Sequence, residues 1–242
     1  EPTRKGLFRK HVIEACHQAL ERLQVDYLDL YFCHRPDLNT SIVETVAAMT
    51  DLVRQGKILY WGTSEWTARD IALAHAAAAR DNLVAPVMEQ PQYNLFTREC
   101  FEVDYSRLYK EVGLGTTVWS PLSRGELVGH YLEEKGGKFV VSKQGNAWLK
   151  EAGLPSGYEA RVKQVAAFAC IARELEITPA RLALAWVLKN SNVTTAILGA
   201  SNTNHLKENL KAIGDVSLLT NAVMGQIESI FQTSPVPEET FR

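Results

Sequence analysis

The fold turns on Tyr27-Leu28-Asp29-Leu30-Tyr31-Phe32-Cys33, a mostly apolar run that ends abruptly in His34-Arg35. Seven residues of this character read as a strand. The strand lies between two helical patterns. Residues 9–24 place Val12, Cys16, Leu20 and Leu23 on one helical stripe, and residues 42–55 do the same with Ile42, Val46, Met49 and Val53. Ser41 and Glu44 have capping-box spacing, and Gly56 suits the position just beyond the helix end. The alternation continues along the chain. Strands are expected at 58–61, 87–90, 116–119 and 194–198. Helices are expected from Thr67 to about Arg80, in the stretch ending at Gly113, over 159–176, from Thr178-Pro179 onward, over 203–213 and over 221–231. Residues 123–158 read as an irregular excursion, and 233–242 as a tail without periodicity.

Strands alternating with helices imply parallel strands joined by right-handed crossovers. The strand ends fall at His34, Ser64, Gln90 and Ser120, spaced 30, 26 and 30 residues apart, about one βα unit each. The last strand ends at Gly199. Two architectures fit this order. An open dinucleotide-binding sheet carries GxGxxG after its first strand, and no such motif occurs. A closed barrel collects its chemistry at the C-terminal ends of its strands. The polar residues collect there: His34-Arg35, Ser64-Glu65, Gln90, Ser120 and Gly199-Ala200-Ser201. The expected fold class is therefore α/β, a (β/α)8 TIM barrel, with residues 1–242 forming one domain.

Composition narrows the function classes. The chain has 242 residues, 46% hydrophobic and 22% charged, with net charge −2. That length buries a substantial core. The charge balance offers no broad basic field for nucleic acid, so any phosphate site must be local. No apolar run reaches the ~18 residues of a membrane span, and the N-terminal residues lack the apolar stretch of a signal peptide. Cys16, Cys33, Cys100 and Cys170 are scattered without a CxxC pair, which fits reduced thiols and a cytoplasmic location. The six histidines form no HxxxH pair, and no metal site is expected.

The segments DYLDLYFCHRPD, YWGTSEW, MEQPQYN, TTVWSPLSRGELVGHY and ILGASNTNHLKENL resemble successive blocks of an aldo-keto reductase, in the family's order and over nearly the whole chain. YWGTSEW, WSPL and GASN in particular are similar to the voltage-gated potassium-channel β-subunit branch. The resemblance implies that the chain supplies the fourth to eighth barrel strands. The barrel would then be N-terminally incomplete, with roughly 90 residues preceding these. The family's catalytic Asp, Tyr and Lys belong to that earlier part and match nothing here, so the chain alone is expected to be inactive.

The resemblance also implies roles for residues. His34 is the substrate-orienting histidine, donating to the carbonyl oxygen; several channel β subunits carry Asn there. Ser64 and Gln90 hold the nicotinamide carboxamide of NADP(H), a group needing both a donor and an acceptor. Glu65 stands where relatives often carry Asn or Arg. Trp119 lies against the nicotinamide ring, unless it is simply a core tryptophan. Ser120, Pro121, Leu122, Ser123 and Arg124 wrap the pyrophosphate. His130 replaces a Lys of the channel subunits, weakening the charge offered to phosphate. Gly199, Ser201, His205, Glu208 and Asn209 bind the adenosine end at a helix N-terminus, with Ser201 on the 2′-phosphate. The alternative for Ser201 or Asn202 is a plain helix cap. Residues 123–158 are expected to cover the pyrophosphate as a mobile flap, the least ordered internal segment. The implied activity is NADP(H)-dependent reduction of small aldehydes and ketones. The rival is an NADP(H)-sensing regulatory subunit of a potassium channel, and tetramers are implied by analogy.

Overall fold

The computed structural model describes residues 5–145 and 158–236, which cluster into two compact units. Of the described residues, unit 1 comprises 5–91 and 100–117, and unit 2 comprises 92–99, 118–145 and 158–236.

In unit 1 the chain alternates as expected: α1 (Arg9–Leu23), β1 (Leu28–Cys33), α2 (Ile42–Arg54), β2 (Ile58–Thr63), α3 (Ala68–Asp81), β3 (Met88–Glu89), α4 (Ser106–Glu111) and β4 (Gly115–Val118). The strands pair in parallel in the order β1-β2-β3-β4, with Cys33 opposite Thr63 and Thr63 opposite Glu89. Val12, Cys16 and Leu20 of the anticipated α1 stripe and Val46 and Met49 of the α2 stripe enter one core with Leu52, with Ile71 and Ala74 of α3 and with Trp61. Ile42 and Val53 pack partly buried against it, and Leu23, past the last buried turn of α1, is exposed. Burying each large apolar side chain contributes about 1.5–3 kcal/mol, which is what holds helices this short in place. Gly56 takes φ +67 and Lys57 N–H donates to Leu52 O at 3.0 Å, the expected helix ending. The Ser41–Glu44 capping box does not form. Ser41 makes no side-chain cap, and the Glu44 carboxylate instead accepts from Arg9 N at 2.9 Å. Phe8 precedes α1 and has no side-chain oxygen to offer, so a neighbouring helix supplies the missing acceptor. The helical stretch before Gly113 is broken by a π-helical turn, Cys100–Asp104.

Unit 2 holds an antiparallel hairpin, β5 (Leu132–Lys135) and β6 (Lys138–Val141), then α5 (Tyr158–Glu174), α6 (Pro179–Lys189), β7 (Thr195–Ala196), α7 (Thr203–Asp215) and α8 (Asn221–Phe231). The hairpin corrects the irregular reading of that segment: Gly136 and Gly137 both take positive φ and form the two-residue turn. Strand β7 is shorter than 194–198, although Ile197 N still bonds Val118 O at 2.8 Å. Helix α7 runs through Gly214 to Asp215, whose carboxylate receives the Arg181 guanidinium at 2.6 and 2.7 Å. Residues 146–157 of the expected flap and 237–242 of the tail lie outside the described residues.

Thr178 caps α6 as read from the sequence, its hydroxyl accepting from Arg181 N at 3.3 Å with Pro179 in the first turn. Thr178→Ala is expected to cost about 1 kcal/mol, read as a lower urea midpoint with an unchanged slope. An unchanged midpoint would show that the cap is energetically idle.

Candidate functional site

Parallel register brings the ends of β1, β2 and β3 side by side, so His34, Ser64 and Gln90 leave the sheet together. Ser64 N donates to Cys33 O at 3.1 Å and Gln90 N donates to Thr63 O at 2.8 Å. The Ser64 hydroxyl donates to Gln90 O at 2.9 Å and accepts from Arg35 Nη1 at 3.0 Å. That same nitrogen donates to His34 O at 2.6 Å, so one guanidinium ties the first strand end to the second. Ser64 is buried and Gln90 half-buried, while His34 is exposed and borders a cleft of about 560 Å³ shared with Tyr31, Arg35, Asp37 and His11. The arrangement offers a fixed hydroxyl and an amide beside an imidazole open to a ligand. Arg35 was not assigned from the sequence, where it reads only as a polar residue after a strand.

Beneath Ser64 lies Glu89, with no surface exposed. Its Oε2 accepts from the Thr63 hydroxyl. The backbone N–H groups of Glu65 and Trp66 act on the carboxylate electrostatically, while Oε1 closes no hydrogen bond. Burial pushes the carboxyl up to about 7, against the lowering effect of these donors. Glu65 itself is exposed and takes φ +57.

In unit 2, Trp119 is half-buried rather than a core residue, bridged to Gln92. The loop after it holds Ser120, Ser123 and Arg124 at φ 51, 49 and 55. Left-handed backbone costs a non-glycine residue of order 1 kcal/mol or more, so three such residues require support. Asn94 Nδ2 donates to Ser120 O at 3.0 Å, and the Asn94 carbonyl accepts from Phe96 N at 2.9 Å. Arg161 lies 3.7 Å over the Phe96 ring and 2.9 Å from buried Glu126, with Nη2 at 3.4 Å from Ser123 Oγ. The loop borders a cleft of about 390 Å³ formed by Ser120, Pro121, Leu122, Arg124 and Gly125 on one side and Ile197, Leu198 and Gly199 on the other. Desolvation lowers the His130 imidazole below its ordinary range, which disfavours the cation.

Asn202 is the cap of α7, its side chain accepting from His205 N at 3.0 Å. Ser201 is therefore not the cap. It is exposed, with Oγ 2.9 Å from His205 Nδ1. Glu208 bonds Lys211 and lies 4.0 Å from Arg181, while Asn209 is buried on the same helix. Among the described residues, no group of three His, Cys, Asp or Glu could hold a metal ion, and no helix is long and apolar enough to cross a membrane.

The sequence model of the aldo/keto reductase family matches residues 1–232. The chain belongs to the aldo/keto reductase family. Its parallel strands with intervening helices are those of that family's α/β barrel class. Two plant relatives are similar over its whole length. A chain of Arabidopsis thaliana named "Probable voltage-gated potassium channel subunit beta" is 42% identical over 241 residues, covering 100% of this chain and 73% of the relative. A chain of the same name from Oryza sativa subsp. japonica is also 42% identical over 241 residues, with the same coverage.

Proposed function

We propose that the protein is an NADP(H)-dependent oxidoreductase that reduces aldehyde and ketone carbonyls. The observation that carries this reading is the joined strand-end set of His34, Ser64 and Gln90, with Ser64 and Gln90 hydrogen-bonded to each other. When bound, the cofactor supplies the hydride, from the nicotinamide C4 to the carbonyl carbon. Ser64 and Gln90 fit its carboxamide, because together they present a hydroxyl, an amide N–H and a carbonyl oxygen. His34 donates to the carbonyl oxygen as negative charge develops there. No residue of this sequence is assigned the general acid.

In unit 2, half-buried Trp119 is the residue this reading gives to the nicotinamide ring, and the Ser120–Arg124 loop fits a pyrophosphate. Gly199, Ser201, His205, Glu208 and Asn209 fit the adenosine end, with residues 123–158 as the cover. Asn202 caps α7, and the exposed Ser201 hydroxyl, paired with His205 Nδ1, is the group proposed to meet the 2′-phosphate. A cytoplasmic location and a tetramer complete this reading.

Ser201→Asp tests it. A carboxylate within about 4 Å of a phosphate is repelled by several kcal/mol at protein-surface dielectric. NADPH affinity should fall at least about tenfold, with NADH affinity little changed, by fluorescence titration. Equal losses for the two cofactors would remove Ser201 from the 2′-phosphate site.

The names of the plant relatives favour a second reading, an NADP(H)-sensing β subunit of a potassium channel. An aldehyde panel assayed by NADPH oxidation, beside co-purification with a channel, separates the two.

A further inference from the structure

We propose that Glu89 is a positioning residue for the nicotinamide end of the site: its carboxylate holds the Ser64–Trp66 turn in the form that presents Ser64. The proposal rests on the cofactor reading above. Four observations lead to it. Glu89 is the ladder partner of Thr63, the residue before Ser64, and its Oε2 accepts the Thr63 hydroxyl. The backbone N–H groups of the next two turn residues, Glu65 and Trp66, act on the same carboxylate and favour its ionised form. Glu65 stands at φ +57, a conformation that needs support from outside the residue. Finally, the turn is pinned on either side, by Ser64 Oγ to Gln90 O at 2.9 Å and by the Tyr105 hydroxyl to Trp66 O at 2.5 Å. Glu89 lies between those two anchors, on the ladder beside Thr63.

The groups that act on Glu89 from neighbouring elements are Cys33 on β1, Glu65 on the turn, and Cys100 and Tyr105 on the helical segment before β4. Burial pushes both thiols and the phenol upward, so they stay neutral, and Glu65 is an acid. The carboxylate is therefore held by the Thr63 hydroxyl at Oε2, with the N–H groups of Glu65 and Trp66 favouring its charge. Ionised acceptors hold N–H and O–H donors about twice as strongly as neutral ones. The turn is thus tightest with Glu89 ionised and loosens on protonation. A purely space-filling Glu89 would show no such dependence. Its carboxyl, raised to about 7 by burial, places the change in an accessible range.

The experiment uses the full-length protein and two readouts. The first is the NADPH dissociation constant from pH 6 to pH 8, for wild type and Glu89→Gln. Titration of the 2′-phosphate, with a pKa of about 6, is common to both and cancels in the comparison. Wild type should bind about three- to tenfold more tightly at pH 8 than Glu89→Gln, and the two should converge at pH 6. Superimposable profiles overturn the proposal. The second readout needs no cofactor: the tryptophan emission of wild type less that of Trp66→Phe. It should titrate near pH 7 and become flat in Glu89→Gln. A flat wild-type signal also overturns the proposal. If Glu89→Gln does not fold, Thr63→Val replaces it. Loss of the donating hydroxyl should move the emission midpoint upward, and an unmoved midpoint counts against the proposal. If wild type binds no NADPH, the cofactor reading fails, and the emission titration alone decides whether Glu89 holds the turn.

Discussion

Gly62→Ala is expected to lower stability by about 3 kcal/mol, at the upper end of overpacking effects. Gly62 pairs with Met88 across β2 and β3 and is buried. A Cβ there would lie 2.5 Å from the Met88 carbonyl oxygen and 2.5 Å from its Cγ. The side-chain atom can swing away, but the carbonyl is fixed in the strand. The two backbones must therefore separate or the ladder must break. Either response also displaces Thr63 and Ser64 from Glu89 and Gln90, so cofactor affinity should fall with stability. Gly56→Ala is the control: Gly56 has φ +67 and nothing within 4 Å of a new Cβ, so only backbone strain of about 1 kcal/mol applies. Thermal melts of the two variants decide the matter. Equal midpoints would show that close strand approach at Gly62 carries no extra energy.

That steric reason is invisible in the sequence, where Gly62 is one letter within YWGTSEW. What the sequence does expose is local. The stripe Val12, Cys16, Leu20 and Leu23 marks α1 because a helix repeats every 3.6 residues, and the first three are buried while Leu23, at the helix end, is exposed. Thr178-Pro179 marks the start of α6 because a cap and a fixed φ act within one turn. The strand-end residues His34, Ser64 and Gln90 are legible because parallel strands of similar spacing must end on the same side. The hairpin at 132–141 was legible in principle. Its Gly136-Gly137 pair is a two-residue turn signal, but Glu133, Glu134 and Lys135 hide the apolar alternation of a strand. The roles of Arg35, Asn94 and Arg161 were not legible. Each depends on a partner in another segment, Ser64, Ser120 and Glu126 respectively, and no spacing rule links them. The Ser41–Glu44 pair shows the converse error. Its spacing is right, yet Glu44 serves the first turn of α1, because a tertiary donor outcompeted the local one.

Glu89→Gln should stabilise the protein at alkaline pH even as it loosens the turn. The native carboxyl holds its proton until about pH 7, whereas in the unfolded chain it ionises near the ordinary 4.5. Between those values the native state binds the extra proton, so unfolding releases it and stability falls as pH rises. The loss is absent below about pH 4.5 and complete above about pH 7. Its size follows from the separation of the two values, about 3 kcal/mol, and applies without large solvent screening because Glu89 has no exposed surface. Glutamine carries no titrating proton and escapes the loss. Glu89→Gln and wild type should therefore unfold at similar urea concentrations at pH 4.5. At pH 8 the variant should be more stable by about 3 kcal/mol, because the raised carboxyl value already includes the hydrogen bonds that the ionised form accepts. Other groups that titrate in this range change both proteins alike and cancel. Parallel stability curves from pH 4.5 to 8 would show that Glu89 ionises normally in the folded state. An acid kept where glutamine would be more stable points to what its charge does: it accepts the Thr63 hydroxyl and attracts the N–H groups of Glu65 and Trp66 beneath Ser64, the residue proposed for the nicotinamide.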